Sequence, residues 1–199
     1  RSYARVGPRM DARGAAEHRR RLVAPAHGFV IEIGAGYGAT FPFYPSTVSS
    51  VLALEPDPTL RALALATAGR APVPVTVREG VAEALPAADA SADVVVSSLV
   101  LCSVADPSVA LAEVVRVLRP GGLLLFYEHV RSAHRLLGAA EDLLTPLWCR
   151  LAGGCHPNRD TAAMIAGAGL SVQGIERFGF SVLPGNPRLA HVLGVAGKS

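Results

Sequence analysis

The chain has 199 residues, half of them hydrophobic and 18% charged, with a formal net charge of +3. Those values fit one domain with a sizeable core and exclude a disordered chain. A mild basic excess without a concentrated stripe of Lys and Arg gives no ground for a nucleic-acid partner. Three cysteines, Cys102, Cys149 and Cys155, make no disulfide framework and point to a reducing, cytoplasmic setting. No apolar run approaches the roughly 18 residues of a membrane span, and what precedes Arg1 stays open.

Residues 2 to about 25 carry Ala, Arg and Glu at helical spacing, and the run His18-Arg19-Arg20-Arg21 reads as the solvated side of that helix. "GFVIEIGAG" (28–36) is a strand running into a glycine turn, and "SVLALEPD" (50–57) is a second apolar strand that ends in a carboxylate. "PTLRALALATAGR" is a helix closed by Gly69. "VPVTVREG" alternates β-branched residues at period two, and Val94–Val96 is the continuous apolar run of a strand covered on both faces. "PSVALAEVVRVL" is an amphipathic helix ended by "RPGG", after which "LLLFYEHV" is a fifth strand. "AHRLLGAAEDLLTPLWCRLA" reads as one helix or two, interrupted near Pro146; "TAAMIAGAGL" is another, and two late strands lie near "SVQGIERF" and "LAHVLGVAGK". Strands alternating with helices predict one α/β domain with a largely parallel sheet.

The turn "EIGAGYG" exposes backbone at Gly34, Gly36 and Gly38, and Glu55 ends the next strand 19 residues after Gly36. A carboxylate there accepts from both hydroxyls of a ribose diol, so the pair predicts a nucleoside-type cofactor. The spacing also satisfies the dinucleotide pattern G-x-G-x-x-A. Glu32 argues otherwise: a carboxylate beside the turn opposes a pyrophosphate but suits a cofactor carrying an ammonium and a sulfonium.

"VIEIGAGYG", "LALEPD", "EGVAEALPAADASADVVVSS" and "EVVRVLRPGGLLLFYEH", in this order over roughly residues 28–130, resemble the class I S-adenosylmethionine-dependent methyltransferases. The resemblance implies a single-domain Rossmann-like fold with a mostly parallel seven-stranded sheet. It divides the chain into a helical cap (1–27), a cofactor-binding core (28–130), an acceptor-covering insertion (131–160) and a C-terminal helix with strands (161–199). It implies S-adenosyl-L-methionine as cofactor and S-adenosyl-L-homocysteine as product. Gly34, Ala35, Gly36 and Gly38 would line the methionine moiety, with Glu32 beside them, and Glu55 and Pro56 would hold the ribose. The family's usual adenine-contacting Asp is replaced by Val81, which leaves the backbone of Val81 and Ala82, next to Glu83, for the adenine; Ser98 lies where the chain passes under the cofactor.

A narrower pattern, "LVLCSV", "EHV", "P-x-W" and "GC…R-x-T", is similar to methyltransferase-like alkyl-thiol S-methyltransferases of animal membranes. It implies a small thiol as acceptor. A thiol needs little beyond deprotonation, whereas an oxygen or amine acceptor more often requires a positioned base. His129 is the candidate base, its ordinary pKa lying near neutrality, with Glu128 beside it; alternatively Glu128 caps a turn and His129 packs under the next helix. Cys102 reads as a small buried residue of the site floor rather than a chemical participant. Trp148, with Leu143, Leu144 and Leu147, is either core or an apolar lid, and Tyr3 would close the other side. Arg159 is a structural anchor or an acceptor contact. Cys149, Cys155 and His156 lack the second ligand pair of a structural zinc site, so no metal is expected. An O- or N-methyltransferase, a non-catalytic nucleotide-binding module and a nicotinamide dehydrogenase remain as alternatives.

Overall fold

A computed structural model describes residues 2–151, 154–181 and 188–199, without the side chains of Ser2, Tyr3, Arg5 and Leu151. The expected part of Tyr3 in closing the site therefore lies outside the described residues.

Among the described residues, seven strands build one sheet: β1 (Gly28–Ile33), β2 (Val48–Leu54), β3 (Val75–Arg78), β4 (Ala92–Ser98), β5 (Leu118–His129), β6 (Ser171–Phe180) and β7 (Leu189–Gly197). Their order is β3-β2-β1-β4-β5-β7-β6. The first five run parallel, and β7 lies antiparallel to both neighbours. Side chains alternate across the pleat. Ile31, Ile33 and Val95 face one core with Leu111, Val114, Phe126 and Ile165, while Val30, Val94 and Val96 face the other with Leu22, Val23 and Phe41.

The helices are α1 (Ser2–Met10), α2 (Ala16–Val23), α3 (Pro58–Ala68), α4 (Pro107–Val117), α5 (Arg135–Leu151) and α6 (Thr161–Gly167). α3 and α4 start alike. Asp57 accepts from the N–H groups of Thr59 (2.8 Å) and Leu60 (2.9 Å), Asp106 from those of Ser108 (2.9 Å) and Val109 (3.3 Å), and a proline follows each cap.

Three local readings change. The N-terminal helix is split by a π-helical turn, Asp11–Ala15, where Gly14 sits at φ 117°. Of the positive run, Arg20 and Arg21 stay outside on Glu17 and Glu176, but Arg19 is buried and paired with Asp11, and His18 stacks on Phe178 with ring centroids 4.3 Å apart. α5 passes through Pro146 as one helix; the missing N–H would have reached the Asp142 carbonyl. Leu143, Leu144 and Leu147 on it face solvent.

The first crossover holds a single 3₁₀ turn, Phe41–Phe43, in place of a long helix; Pro42 and Pro45 remove two N–H donors there. The backbone after β1 is held by its glycines. Gly34 sits at φ 57°, and a Cβ on it would lie 2.5 Å from Val100 Cγ2. Left-handed backbone costs an L-residue about 1–2 kcal/mol before any clash. Gly34→Ala is expected to lower the unfolding free energy by about 2 kcal/mol in urea denaturation; an unchanged midpoint would show that the turn relaxes freely.

Candidate active site

At the carboxyl ends of the parallel strands lies a cavity of about 720 Å³. Glu55 follows β2 and His129 ends β5, three sheet positions apart, which is about 14 Å at ordinary strand spacing. Both line this cavity.

On the β1–β2 side, Gly36 N–H donates to Glu55 Oε2 (2.8 Å) and Asp57 N–H donates to Oε1 (2.9 Å). Each oxygen keeps a lone-pair site for a ligand hydroxyl. Gly34, Ala35, Gly36, Pro56, Val81, Ala82, Glu83 and Ser98 share the wall. Gly38 does not. Its face turns to Phe41, where a Cβ would lie 2.6 Å from the ring, so it is a packing glycine.

Glu32 points to the same side of the sheet as Val30 and receives the Tyr44 hydroxyl at 2.7 Å. Burial pushes its carboxyl up to about 7, against the hydrogen bonds from Tyr44 and Thr40 and the charge of Arg19. Arg19 also lines the cavity. Sequence reasoning missed it because a buried arginine inside a positive run leaves no periodic signal.

The loop after β4 forms the floor. Glu128, fully buried, accepts from Ser97 Oγ–H (2.6 Å), Val100 N–H (3.1 Å) and Leu101 N–H (3.1 Å) on Oε1, and from Cys102 N–H (3.1 Å) on Oε2. Burial raises its pKa and these donors oppose the rise. Its carboxylate is a loop anchor off the cavity wall, which does not suit the catalytic reading. The same loop holds Leu99 at φ 63°, a strained conformation for a leucine. Arg159 is the second anchor: Nη1 donates to the carbonyls of Leu101 (2.8 Å) and Val104 (2.9 Å).

On the β5–β7 side, His129 meets Cys102, Trp148, Cys155, Leu189 and His191. Its Nδ1 lies 3.4 Å from Cys155 Sγ, and its buried Nε2 has no hydrogen-bond partner. The His191 ring stacks on it at 4.9 Å and 8°. Burial, and next the charge of His129, lower the His191 pKa to about 3, so it is a neutral imidazole at physiological pH. Sequence reasoning missed His191 and set Cys155 aside with the metal question. His191 reaches the site because antiparallel β7 starts where β5 ends, pairing it with His129. Among the described residues, no three His, Cys, Asp or Glu side chains form a metal-holding group, and no helix is long and apolar enough to cross a membrane.

The residues fit a nucleoside cofactor on the first side: a bare turn, a cradled carboxylate, and Ser98 Oγ buried without a partner. The burial of Glu32 carries its own test in the ligand-free protein. A raised acid in the folded state gives stability that is present below its unfolded value near 4.5 and lost as pH rises toward 7. The ligand-free protein is expected to lose about 3 kcal/mol over that window relative to Glu32→Gln; parallel denaturation profiles for the two would contradict this.

The methyltransferase domain family matches residues 31–126. The chain is 37% identical over 180 residues to the thiol S-methyltransferase TMT1B of Rattus norvegicus, covering 85% of this chain and 70% of that one. It is 36% identical to TMT1B of Homo sapiens over 152 residues, 74% of this chain and 62% of that protein. A SAM-dependent methyltransferase structure from Thermotoga maritima superposes with TM-score 0.74 at 21% identity, covering 100% of this chain and 95% of its own. Geranyl diphosphate methyltransferase in complex with SAM gives TM-score 0.73 at 14% identity over 94% and 85%. With the fold, the cavity and these matches together, the chain belongs to the S-adenosylmethionine-dependent methyltransferases.

Proposed function

We propose that this methyltransferase alkylates the sulfur of a small apolar thiol. The observation that carries the reading is the acceptor end of the cavity, where Leu99, Trp148 and Leu189 give apolar surface beside His129, Cys102, Cys155 and His191. The relatives named thiol S-methyltransferases support it, although the chain spans only 70% and 62% of two of them.

When bound, S-adenosylmethionine supplies a methyl group on a sulfonium, an electrophile for a thiolate. Glu55 holds the ribose hydroxyls with the lone pairs its backbone donors leave free. The backbone of Val81 and Ala82 takes the adenine edge in place of the family's usual aspartate. Gly34, Ala35 and Gly36 admit the amino-acid portion, and Glu32 with Arg19 sets the local charge there. His129 Nε2 takes the proton from the acceptor S–H, while its Nδ1 is occupied by Cys155 and its ring is fixed against His191. Trp148 borders the acceptor end. Glu128 and Arg159 act on the acceptor through the loop they hold, as positioning residues.

Methyl transfer to a panel of alkyl thiols, phenols and amines, read by product mass, tests the acceptor class. Thiols are expected to be methylated with at least tenfold higher kcat/KM; a preference for phenols or amines would overturn the reading. His129→Ala is expected to lower kcat for an alkyl thiol about 10²-fold at neutral pH, and less for a thiol already ionised. Equal losses for both would leave His129 a packing residue. Glu55→Ala is expected to weaken S-adenosylhomocysteine binding by about 1–3 kcal/mol in calorimetry; unchanged affinity would remove it from the ribose site.

A further inference from the structure

The acceptor side of the cavity holds two thiols in contact. Cys155 Sγ lies 3.7 Å from Cys102 Sγ and 3.4 Å from His129 Nδ1. The backbones that carry the thiols are tied together, since His156 N–H donates to the Cys102 carbonyl at 2.7 Å. A disulfide needs sulfurs about 2.0 Å apart, so the two must approach by about 1.7 Å. The third thiol is turned elsewhere: Cys149 Sγ–H donates to the Cys155 carbonyl at 3.1 Å, and Cys149 is not on the cavity wall.

We propose that Cys155 and Cys102 form a redox-active dithiol, with Cys155 attacking and Cys102 resolving, and that the cavity reduces small apolar disulfides. The Cys155 proton passes to His129, and the Cys155 sulfur attacks one sulfur of R–S–S–R. A Cys155–S–S–R bond forms, the R–S bond to its partner sulfur breaks, and R–S⁻ leaves with a proton returned by His129. Cys102 then attacks Cys155 Sγ, forming the protein disulfide and expelling the second R–S⁻, which takes up the Cys102 proton. One disulfide becomes two thiols, while the protein loses two hydrogens; a low-molecular-weight thiol restores it.

The environments of the two sulfurs differ in the sense this needs. The hydrogen bond shared with Cys102, followed by His129 and Trp148, draws the Cys155 thiol well below the ordinary range despite burial, whereas the same hydrogen bond and burial push Cys102 up. Attack favours the thiolate. Both sulfurs line the cavity, but Cys102 is buried and Cys155 only half-buried, so Cys155 is the more accessible to an entering disulfide. The thiols released are of the class that the proposed function methylates, so an oxidised acceptor would be converted where it is used.

The test omits S-adenosylmethionine and so is independent of methyl transfer. Reduced protein is mixed anaerobically with an equimolar amount of dithiodipyridine, an apolar disulfide whose released thiopyridone is read by absorbance. In the fast phase each chain is expected to release two thiopyridones and to lose the mass of two hydrogens. Peptide mapping should join Cys102 to Cys155, and dithiothreitol should reverse the change. Cys102→Ser is expected to release one thiopyridone and keep a pyridyl adduct on Cys155. A lasting pyridyl adduct on the unmodified chain, a Cys149–Cys155 link, or Cys155 reacting no faster than Cys149 would each overturn the proposal.

Discussion

The site depends on one buried carboxylate. Glu128 has no access to water, and it takes donors from Ser97, Val100, Leu101 and Cys102. A buried carboxylate without such donors would carry a desolvation penalty of several kcal/mol. The penalty is offset only if the chain after β4 folds back over the end of β5. That fold carries Leu99 into the left-handed region and lays Leu99, Val100 and Cys102 along the cavity. Arg159 holds the same loop from the other side through two carbonyls. The floor is thus fixed by charge-assisted hydrogen bonds, and the cavity opens on a rigid rather than a collapsible surface.

Sheet order does the rest. The first-side groups come mainly from the ends of β1, β2 and β3, while His129 and His191 come from β5 and β7, with β4 between them. The spacing suits an elongated ligand lying across the strand ends, its nucleoside portion on Glu55 and its reactive end toward His129. Antiparallel β7 is what completes the second part. A parallel strand in that position would deliver its carboxyl end to the site, not the amino end that carries Leu189 and His191.

Much of this was legible in the residues. The glycine turn and the carboxylate at the end of the following strand lie together, and the hydrogen bond from Gly36 N–H to Glu55 closes the pair directly. Such signals are local: a turn requires glycine, and a strand end exposes one side chain. His191 and Cys155 reach the site only through long-range pairing, which period and spacing do not encode, whereas Arg19 is turned inward on nearby Asp11. Gly38 shows the converse. It has the right spacing to line a ligand, but Phe41, brought back by a proline-terminated turn, occupies its face. In α5, Leu143, Leu144 and Leu147 have the spacing of a core or lid stripe, but only Trp148 on that stretch reaches the cavity.

The account stands on a single continuous cavity that holds the cofactor at Glu55 and the acceptor at His129. A crystal structure with S-adenosylhomocysteine tests it most directly. The account predicts ribose hydroxyls on the Glu55 carboxylate and the homocysteine sulfur facing the His129 side. A ligand bound elsewhere, or lying with its sulfur away from His129, would contradict it.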